Sequence, residues 1–494
     1  MSMTPPERRA RVLADLTAGP LDLLIIGGGI VGAGMARDAA MRGLKTGLIE
    51  QHDFASGTSS RSSRLLHGGI RYLAQARIGL VREASVEKRT LHRIAPHLAE
   101  PTAFIFPTYR GAGWPLWQMR IGVKLYDLLC GGHNLGKSSS FSKGAAAQAV
   151  PQLKTGGLTG AVRYFDGFTN DARLVMDTLR SAAAHGARVL NYCRFQDAAR
   201  DASAWVCEAR DERTGSSHTI RAGAVINATG PWAQMVPHSR VRLRLTKGVH
   251  LVAPRHRLPA QDAIVLTSGP RILFVIPWGE RVILGTTDTD YTGAPENVRT
   301  GREDIDYVLG VVNEFFPSVR MTTADIISCW AGLRPLIDHG SGGASDISRA
   351  HEIRRAEPGW WDVAGGKLTT YRLMAEQTLD RIAAEKGWNT PRCQTARDPL
   401  LSLAETAGVS GIFPPAFSQE AVAHYCRNEW AIHLDDVMIR RTSWQYYYAD
   451  AREKAAEAAQ WMAQFFGWTN EEIAAELARC MTPFEALRPQ KSAG

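Results

Sequence analysis

The sequence lacks the spacings that mark disulfide-rich and zinc-binding proteins. Its seven cysteines are scattered along 494 residues, with no Cys-x-x-Cys pair and no zinc-finger arrangement of Cys and His. Neither a disulfide framework nor a metal site is therefore predicted. Isolated cysteines fit a reducing compartment, so we expect a cytoplasmic protein.

Long apolar runs and repeated or biased segments are missing as well. A spanning helix needs about 18 consecutive apolar residues, and the best stretch, residues 21–36, is interrupted by Asp22 and by glycines. No repeat of fixed period and no low-complexity segment occurs. Basic residues do not combine with aromatic ones in a known nucleic-acid-binding module, so we expect no nucleic-acid partner.

The composition is that of a folded, soluble protein. Its length predicts two to three domains, and 45% hydrophobic with 22% charged residues is the ordinary globular range. Lys and Arg number 58 against 49 Asp and Glu, which gives a net charge of +9. This excess favours an anionic substrate or surface without choosing among them.

The first fifty residues read as a βαβ unit. Residues 21–26 form an apolar run typical of a strand buried on both faces, residues 35–42 have the spacing of a helix, and residues 45–49 supply a second apolar strand. A glycine-rich turn separates the first strand from the helix. The pattern predicts a parallel α/β sheet at the start of the chain.

The turn carries the Gly-x-Gly-x-x-Gly fingerprint of dinucleotide-binding proteins. Gly27 allows the tight turn, Gly29 lets the backbone approach a pyrophosphate, and Gly32 lets helix and strand pack closely. Glu50 ends the second strand, where its carboxylate accepts hydrogen bonds from ribose hydroxyls and disfavours a 2′-phosphate. A dinucleotide site is predicted, but the motif does not distinguish NAD from FAD.

The rest of the chain is less regular. Strand-like runs predict a second sheet, and they lie at residues 103–106, 224–228, 245–252, 272–276 and 282–284. Helical spacing returns at residues 368–386 and dominates from residue 418, with a capping box at Thr469 and Glu472. We therefore expect an α/β protein with a C-terminal helical module.

Residues 53–64 are rich in Ser, Thr and Gly and follow Glu50 directly. Short hydroxyl side chains such as Thr58, Ser59 and Ser60 permit close approach of an extended polar ligand and can donate to it. A flexible linker is the alternative, but a polar tract beside a nucleotide site is more economically a cofactor cradle.

At this point the sequence resembles the FAD-dependent, quinone-linked glycerol-3-phosphate dehydrogenases. The resemblance covers nearly all of residues 21–384 and begins with residues 27–72, which contain Ser59-Ser60 and the string from His67 to Tyr72. Further matching strings are residues 227–232, 247–252, 276–278, 284–288, 332–336 and 365–372. The resemblance implies FAD and oxidation of sn-glycerol 3-phosphate to dihydroxyacetone phosphate, with electrons passed to quinone or another membrane acceptor.

The resemblance also implies a domain organisation built on a Rossmann-like FAD-binding domain. The expected parts are an N-terminal extension (1–20), a discontinuous FAD-binding domain (21–90, 155–240 and 325–390), a sheet-bearing substrate domain (91–154 and 241–324) and a C-terminal helical domain (391–494). Residues 393–423 look shortened relative to the family. This departure leaves the oligomeric state and any docking on a membrane open.

Four residues are candidates for the reaction itself. His250 can take the hydroxyl proton because neutral imidazole titrates near working pH, although a structural histidine is the alternative. The substrate phosphate is a dianion that needs fixed cations, and Arg71 and Arg334 stand among apolar and Gly or Pro neighbours rather than in charged runs. Tyr72 adds a hydroxyl donor.

The last cluster surrounds Gly365-Gly366-Lys367, which precedes a predicted helix starting at Leu368. Its amides and dipole would face the flavin N1/O2 edge, where negative charge develops on reduction, and Lys367 would add a full charge there or touch the substrate. A glycine turn that merely starts a helix is the alternative. The cofactor set is completed by Gly230, Leu368 and Thr369. Asp288 is either a supporting hydrogen-bond partner or an ordinary turn residue.

Other functions stay open at this stage. A related polyol phosphate as substrate and oxygen as acceptor both fit the spacing of the motifs. A non-catalytic flavoprotein is the alternative of another class, and the presence of His250, Arg71, Arg334 and Lys367 argues against it. The net charge, with the quinone use that the resemblance implies, favours peripheral attachment to an anionic membrane surface on the inner face of the cell membrane.

Overall fold

The computed structural model describes residues 3–70, 77–131, 134–269, 271–338 and 351–485. The strands are β1 (Leu21–Ile26), β2 (Thr46–Ile49), β3 (Leu65–Leu66), β4 (Glu100–Tyr109), β5 (Ser139–Ser142), β6 (Leu158–Phe168), β7 (Arg188–Leu190), β8 (Cys193–Asp201), β9 (Ala204–Asp211), β10 (Ser217–Asn227), β11 (Leu243–Pro254), β12 (Ala263–Ser268), β13 (Arg271–Trp278), β14 (Arg281–Gly285), β15 (Thr289–Tyr291), β16 (Ser328–Ile337), β17 (His351–Glu357) and β18 (Trp360–Gly365).

The helices precede, connect and follow these strands. They are α1 (Pro5–Thr17), α2 (Ile30–Met41), α3 (Ile78–Ile94), α4 (Leu116–Leu129), α5 (Lys143–Ala149), α6 (Asp171–Ala184), α7 (Arg302–Phe315), α8 (Tyr371–Lys386), α9 (Leu403–Thr406), α10 (Gln419–Asn428), α11 (Trp444–Tyr447), α12 (Ala451–Phe466) and α13 (Asn470–Glu485). A π-helical turn spans Asp436–Arg441.

The first sheet has the order β17-β18-β10-β1-β2-β7, with β8 and β9 joined to it through β10. Strands β18, β10, β1, β2 and β7 run parallel to one another. Their side chains pack against α2, α6 and α8 in one large apolar core. The predicted parallel α/β sheet is confirmed, and its first strand begins and ends where the sequence predicts.

The second sheet has the order β15-β11-β14-β13-β12-β4-β6-β3, with β16 paired to β11 and β5 paired to β6. All five strand-like runs of the sequence are strands, although residues 224–228 belong to β10 in the first sheet. Strands β6 and β16 lie in segments predicted for the FAD-binding domain, yet they hydrogen-bond within the second sheet. The domain limits stay a prediction, since strand pairing alone does not set them.

Helices dominate the C-terminal part, as predicted, and α10, α12 and α13 share one apolar core. The predicted capping box is present: the Thr469 amide donates to Glu472 Oε2 over 2.8 Å, and the Glu472 amide donates to Thr469 Oγ1 over 3.2 Å. No helix in the described part of the chain has the length and apolarity that crossing a bilayer requires.

Candidate active site

A cavity of about 770 Å³ is lined by residues of both sheets. Its wall begins at Ile26 and Ile49, the last residues of the neighbouring parallel strands β1 and β2. Ligands of open α/β sheets bind outside the carboxyl ends of the strands, and a volume of this size suits a large small-molecule ligand. The cavity is therefore the candidate site.

The three fingerprint glycines meet three different surroundings. A Cβ at Gly27, whose φ is +111°, would lie 2.6 Å from the Ala228 carbonyl oxygen, and a Cβ at Gly32 would lie 2.0 Å from the Gly27 carbonyl oxygen. A Cβ at Gly29 would meet only Ser59 Oγ, at 3.2 Å, among the described atoms. Gly27 and Gly32 thus serve backbone packing, whereas Gly29 keeps open a cradle that a side chain would fill.

The start of α2 forms the floor of this cradle. Gly29 is its N-cap and offers no side chain, and the Ile30 amide donates to Ser59 Oγ over 3.0 Å. Unpaired amides and the positive end of the helix dipole favour an anionic group at this position. Ser59 and Thr58 line the cavity, but the Thr58 hydroxyl donates to the Leu333 carbonyl over 2.7 Å. Ser60 is buried and does not line the cavity.

Glu50 lies in the cavity wall just after β2. Its Oε2 accepts the Gly28 amide over 2.7 Å, and its Oε1 accepts the His52 amide over 2.9 Å. Burial raises the pKa of the carboxyl group, while the two amides act in the opposite direction. The carboxylate is thus fixed beside the glycine turn with lone pairs left for a ligand.

The predicted flavin-side residues lie in the same cavity. Gly230, Gly365, Gly366, Lys367, Leu368 and Thr369 all line it. Gly365 and Gly366 have φ of +72° and +77°, a conformation that favours glycine. The predicted helix start at Leu368 is a 3₁₀ turn over Leu368–Thr370, after which α8 begins. The residues that line the cavity here therefore belong to a 3₁₀ turn, and the regular helix starts after it.

His250 is a buried residue of β11 that reaches the cavity wall. Its Nε2 lies 2.8 Å from Ser63 Oγ, and its ring stacks on Trp330 with centroids 5.3 Å apart. Its Nδ1 has no hydrogen-bond partner among the described residues. Burial, together with the charges of Arg334 and Arg64, lowers the His250 pKa to about 3, so the imidazole is neutral.

Arg334 extends from β16 into the same region. Its Nη1 donates to Asp288 Oδ1 over 3.1 Å, and its Nη2 donates to Thr286 Oγ1 over 3.0 Å. A Cβ at Gly248 would lie 2.5 Å from Arg334 Nη2, so a glycine on β11 makes room for the guanidinium. Asp288 therefore has the geometry of a supporting residue rather than of a simple turn residue.

Sequence reasoning assigned no role to Arg64, which the structure buries behind the cavity wall. Its guanidinium carbon lies 4.3 Å from the Trp278 ring centroid and 5.2 Å from that of Trp330. Nη2 donates to Ser443 Oγ over 3.1 Å, whereas Nε and Nη1 have no hydrogen-bond partner within the described chain. Burial lowers the Arg64 pKa. In the sequence, the only signal for this buried position was that Arg64 lies in the Ser-rich tract.

Two predicted substrate ligands, Arg71 and Tyr72, lie outside the described residues. Two other residues were missed: Ser63, which holds the His250 ring, and Asp171, which accepts the Ser62 amide over 2.9 Å and lines the cavity. Ser63 belongs to the predicted cradle tract, so its composition was the available signal. Asp171 sits at the start of α6, where an acidic residue is ordinary.

The chain is similar to proteins of known family. Residues 22–381 match the family described as FAD dependent oxidoreductase, and residues 401–473 match the C-terminal domain of alpha-glycerophosphate oxidase. Glycerol-3-phosphate dehydrogenase 2 of Mycobacterium bovis is 34% identical over 97% of this chain and 91% of the relative. Aerobic glycerol-3-phosphate dehydrogenase of Staphylococcus aureus is 38% identical over 78% of this chain and 72% of the relative.

The chain is also similar to solved structures. The glycerol-3-phosphate dehydrogenase of Bacillus halodurans complexed with FAD superposes with a TM-score of 0.80 at 29% identity, covering 99% of this chain and all of the other. L-alpha-glycerophosphate oxidase of Mycoplasma pneumoniae with FAD bound has a TM-score of 0.61 at 15% identity over 78% of this chain and all of the other, a likeness of fold alone.

The residues present fit FAD. The open cradle at Gly29, the free start of α2 and the carboxylate of Glu50 suit a dinucleotide, and the 3₁₀ turn after Gly366 lines the same cavity. The chain therefore belongs to the FAD-dependent oxidoreductases and, among them, to the family of the glycerol-3-phosphate dehydrogenases.

Proposed function

We propose that the protein oxidises sn-glycerol 3-phosphate to dihydroxyacetone phosphate with FAD and passes the electrons to a quinone. The observation that carries this proposal is one cavity that joins a phosphate-binding helix start to a neutral imidazole beside a guanidinium. Bound FAD supplies a hydride acceptor at N5. The names of the relatives support the substrate.

His250 takes the hydroxyl proton of the substrate. His250 lies in the cavity wall beside Ser63, and its neutral imidazole carries a nitrogen lone pair that can accept the proton. Burial is the main cause of the low His250 pKa, and the charges of Arg334 and Arg64 lower it further; the dianionic phosphate offsets the effect of these two charges and so shifts the pKa upward.

Cations hold the anionic groups. Arg334 binds the substrate phosphate, with Asp288 fixing the plane of its guanidinium. Arg71 and Tyr72 complete the phosphate site, as the resemblance implies. Lys367 and the residues after Gly366 line the cavity and would hold the N1/O2 edge of a bound flavin, where they would supply positive charge.

An anaerobic titration that follows flavin absorbance tests the proposal. Glycerol 3-phosphate is expected to bleach the flavin, while unphosphorylated glycerol is not. If only another polyol phosphate bleaches the flavin, that compound is the substrate instead of glycerol 3-phosphate. If no polyol phosphate bleaches the flavin, the protein is a non-catalytic flavoprotein. Arg71→Ala is expected to raise the glycerol 3-phosphate concentration needed for half-maximal bleaching by about tenfold or more, and an unchanged concentration would contradict its role.

The electron acceptor needs its own measurement. We propose a quinone and a place on the inner face of the cytoplasmic membrane, supported by the charge of +9. The reduced enzyme is mixed with a quinone analogue or with oxygen, and reoxidation of the flavin is timed. Faster reoxidation by oxygen, with release of hydrogen peroxide, would make the protein an oxidase.

A further inference from the structure

Asp166 is a buried carboxylate in the wall of the cavity that the proposed function does not use. It lies near the end of β6, and its side chain is 4% exposed. Its Oδ1 accepts three hydrogen bonds, from Lys88 Nζ over 2.7 Å, from the Tyr126 hydroxyl over 2.5 Å and from the Gly68 amide over 3.2 Å. Within the described chain, no group donates to Oδ2. One carboxylate oxygen is thus fully occupied, while the other is left to a ligand.

The partners of Asp166 fix what this second oxygen can bind. Lys88 is 1% exposed and pairs with Asp166 as its counter-charge. Burial raises the pKa of Tyr126 well above its ordinary value, so the phenol keeps its proton and donates it. Both residues stand behind the cavity wall rather than in it. An ionised carboxylate has only acceptor lone pairs, so Oδ2 binds hydrogen-bond donors and repels anions.

The pairing of β3 with β6 places Asp166 near the reaction end of the cavity. Continued by one residue, the register of these strands sets Asp166 opposite His67. The His67 amide donates over 3.1 Å to Oγ1 of Thr369, in the turn predicted to meet the flavin. At the other end of β3, Ser63 lies 2.8 Å from His250. The same short strand therefore connects the surroundings of the proposed base with those of Asp166.

Glycerol 3-phosphate has three groups that a protein can recognise. In the proposed function, Arg334 binds the phosphate and His250 meets the secondary hydroxyl that is oxidised. The terminal hydroxyl still needs a partner, and it is a neutral hydrogen-bond donor. Such a donor is the group that Asp166 Oδ2 accepts, whereas the phosphate is repelled from that position. An anion and a cation in one cavity would therefore orient the substrate.

We propose that Asp166 accepts a hydrogen bond from the terminal hydroxyl of glycerol 3-phosphate and thereby selects polyol phosphates over phosphorylated alcohols that lack this hydroxyl. The proposal rests on the proposed function for the identity of the substrate. Lys88 and Tyr126 act as positioning residues, because they hold Oδ1 and so direct Oδ2 to the cavity.

The test compares two compounds on the flavin-loaded protein. 2-Hydroxypropyl phosphate, in the same configuration as sn-glycerol 3-phosphate, keeps the phosphate and the secondary hydroxyl but lacks the terminal one. Anaerobic stopped-flow absorbance gives the second-order rate constant of flavin bleaching for each compound. Wild type is expected to prefer glycerol 3-phosphate by about a hundredfold or more, because the shorter compound leaves a buried acceptor unpaired.

Variants of the carboxylate then assign this preference to Asp166. Asp166→Asn keeps the shape of the side chain but removes its charge, and it is expected to lower the preference by about tenfold. Asp166→Glu keeps the charge for Lys88 and displaces the carboxylate by one methylene, so it gives the same comparison if the amide variant does not fold. Tyr126→Phe is the matched control, because it removes a donor behind the wall, and it is expected to lower thermal stability while keeping the preference.

The outcomes separate the proposal from the function on which it rests. Equal rate constants for the two compounds in wild type would overturn the proposal without any variant. An equal loss of rate with both compounds in the Asp166 variants would overturn it too, since a merely structural carboxylate would act in that way. Failure of both compounds to bleach wild type would overturn the proposed function instead.

Discussion

The two ends of the cavity are organised by different forces. At the nucleotide end, the cavity is lined by backbone amides and glycines, and the buried charges behind them are paired. Asp53 accepts hydrogen bonds from both Nη atoms of Arg441, over 2.6 and 2.9 Å, and further ones from Arg440 and Asn191. Burial alone would raise the pKa of the Asp53 carboxyl, but the two arginines lower it. The buried charges at this end are therefore paired within the protein.

At the reaction end, some buried polar atoms have no hydrogen-bond partner in the described chain. His250 is neutral with Nδ1 unpartnered, and Arg64 keeps two guanidinium nitrogens without a hydrogen-bond partner within the described chain. Arg64 is ion-paired with Asp171, whose Oδ1 lies 3.9 Å from Arg64 Nε. The two ends therefore differ: backbone shape dominates the nucleotide end, whereas buried side chains with incomplete hydrogen bonding surround the reaction end.

The largest expected effect concerns the glycine turn, where two alanine variants separate backbone packing from FAD binding. Gly32→Ala places a Cβ against the Gly27 carbonyl, so we expect a loss of at least about 3 kcal/mol of unfolding free energy. Gly29→Ala meets only a hydroxyl in the described chain and should keep the fold, yet bind FAD about tenfold more weakly. Thermal unfolding and FAD titration of the apoprotein measure both. Equal loss of stability in the two variants would contradict the separate roles.

The second experiment asks whether the C-terminal module supports the nucleotide end. Phe54 follows Asp53, meets Trp430 edge-on at 5.5 Å, and lies where a Cβ on Gly28 would be. Arg441→Met should therefore cost about 3 kcal/mol of unfolding free energy and weaken FAD binding by about tenfold.

Arg173→Met is the matched control for this experiment. Arg173 forms an equally buried pair with Glu429 that ties the same module to α6. Arg441 donates to the Glu429 carbonyl, so the two arginines share this neighbour, but of the two only Arg441 donates to Asp53. We expect a similar loss of stability with an unchanged FAD dissociation constant. If Arg173→Met weakened FAD as much as Arg441→Met, the effect would be general loosening of the module.

At the reaction end, His250→Ala should leave FAD bound and slow anaerobic flavin reduction by about a hundredfold or more. The reason is that the hydroxyl proton then has no acceptor at this position. Stopped-flow absorbance with saturating glycerol 3-phosphate measures the rate, and Ser63→Ala provides a milder perturbation of the same ring. A His250→Ala rate equal to that of wild type would remove His250 as the base.

The smallest expected effect is on pH-dependent stability. His250 has a pKa of about 3 in the folded protein and an ordinary value of 6.5, so between these values the unfolded chain binds one more proton and stability falls as the pH is lowered. Between pH 7 and pH 5, the unfolding free energy of wild type should fall by about 2 kcal/mol more than that of His250→Gln. Urea unfolding monitored by flavin fluorescence measures the difference, and identical pH profiles would contradict the neutral buried state.

The sequence predicted the nucleotide end well because its signals are local. Strand β1, the glycine turn and Glu50 lie within thirty residues, and each residue type there has a steric reason. The pairing of Asp53 with Arg441 joins residues 388 positions apart, and charges carry no periodicity that would reveal it. The burial that makes Arg64 and His250 unusual depends on Trp278 and Trp330, which come from distant strands.

The cavity wall draws on residues from Ile26 to Thr369, and Arg441 closes the ion pair beneath the nucleotide end. A nascent chain therefore lacks part of the cavity wall until residue 369 has been made. Flavin loading is expected only after that point, and products of translation that end before it should be colourless.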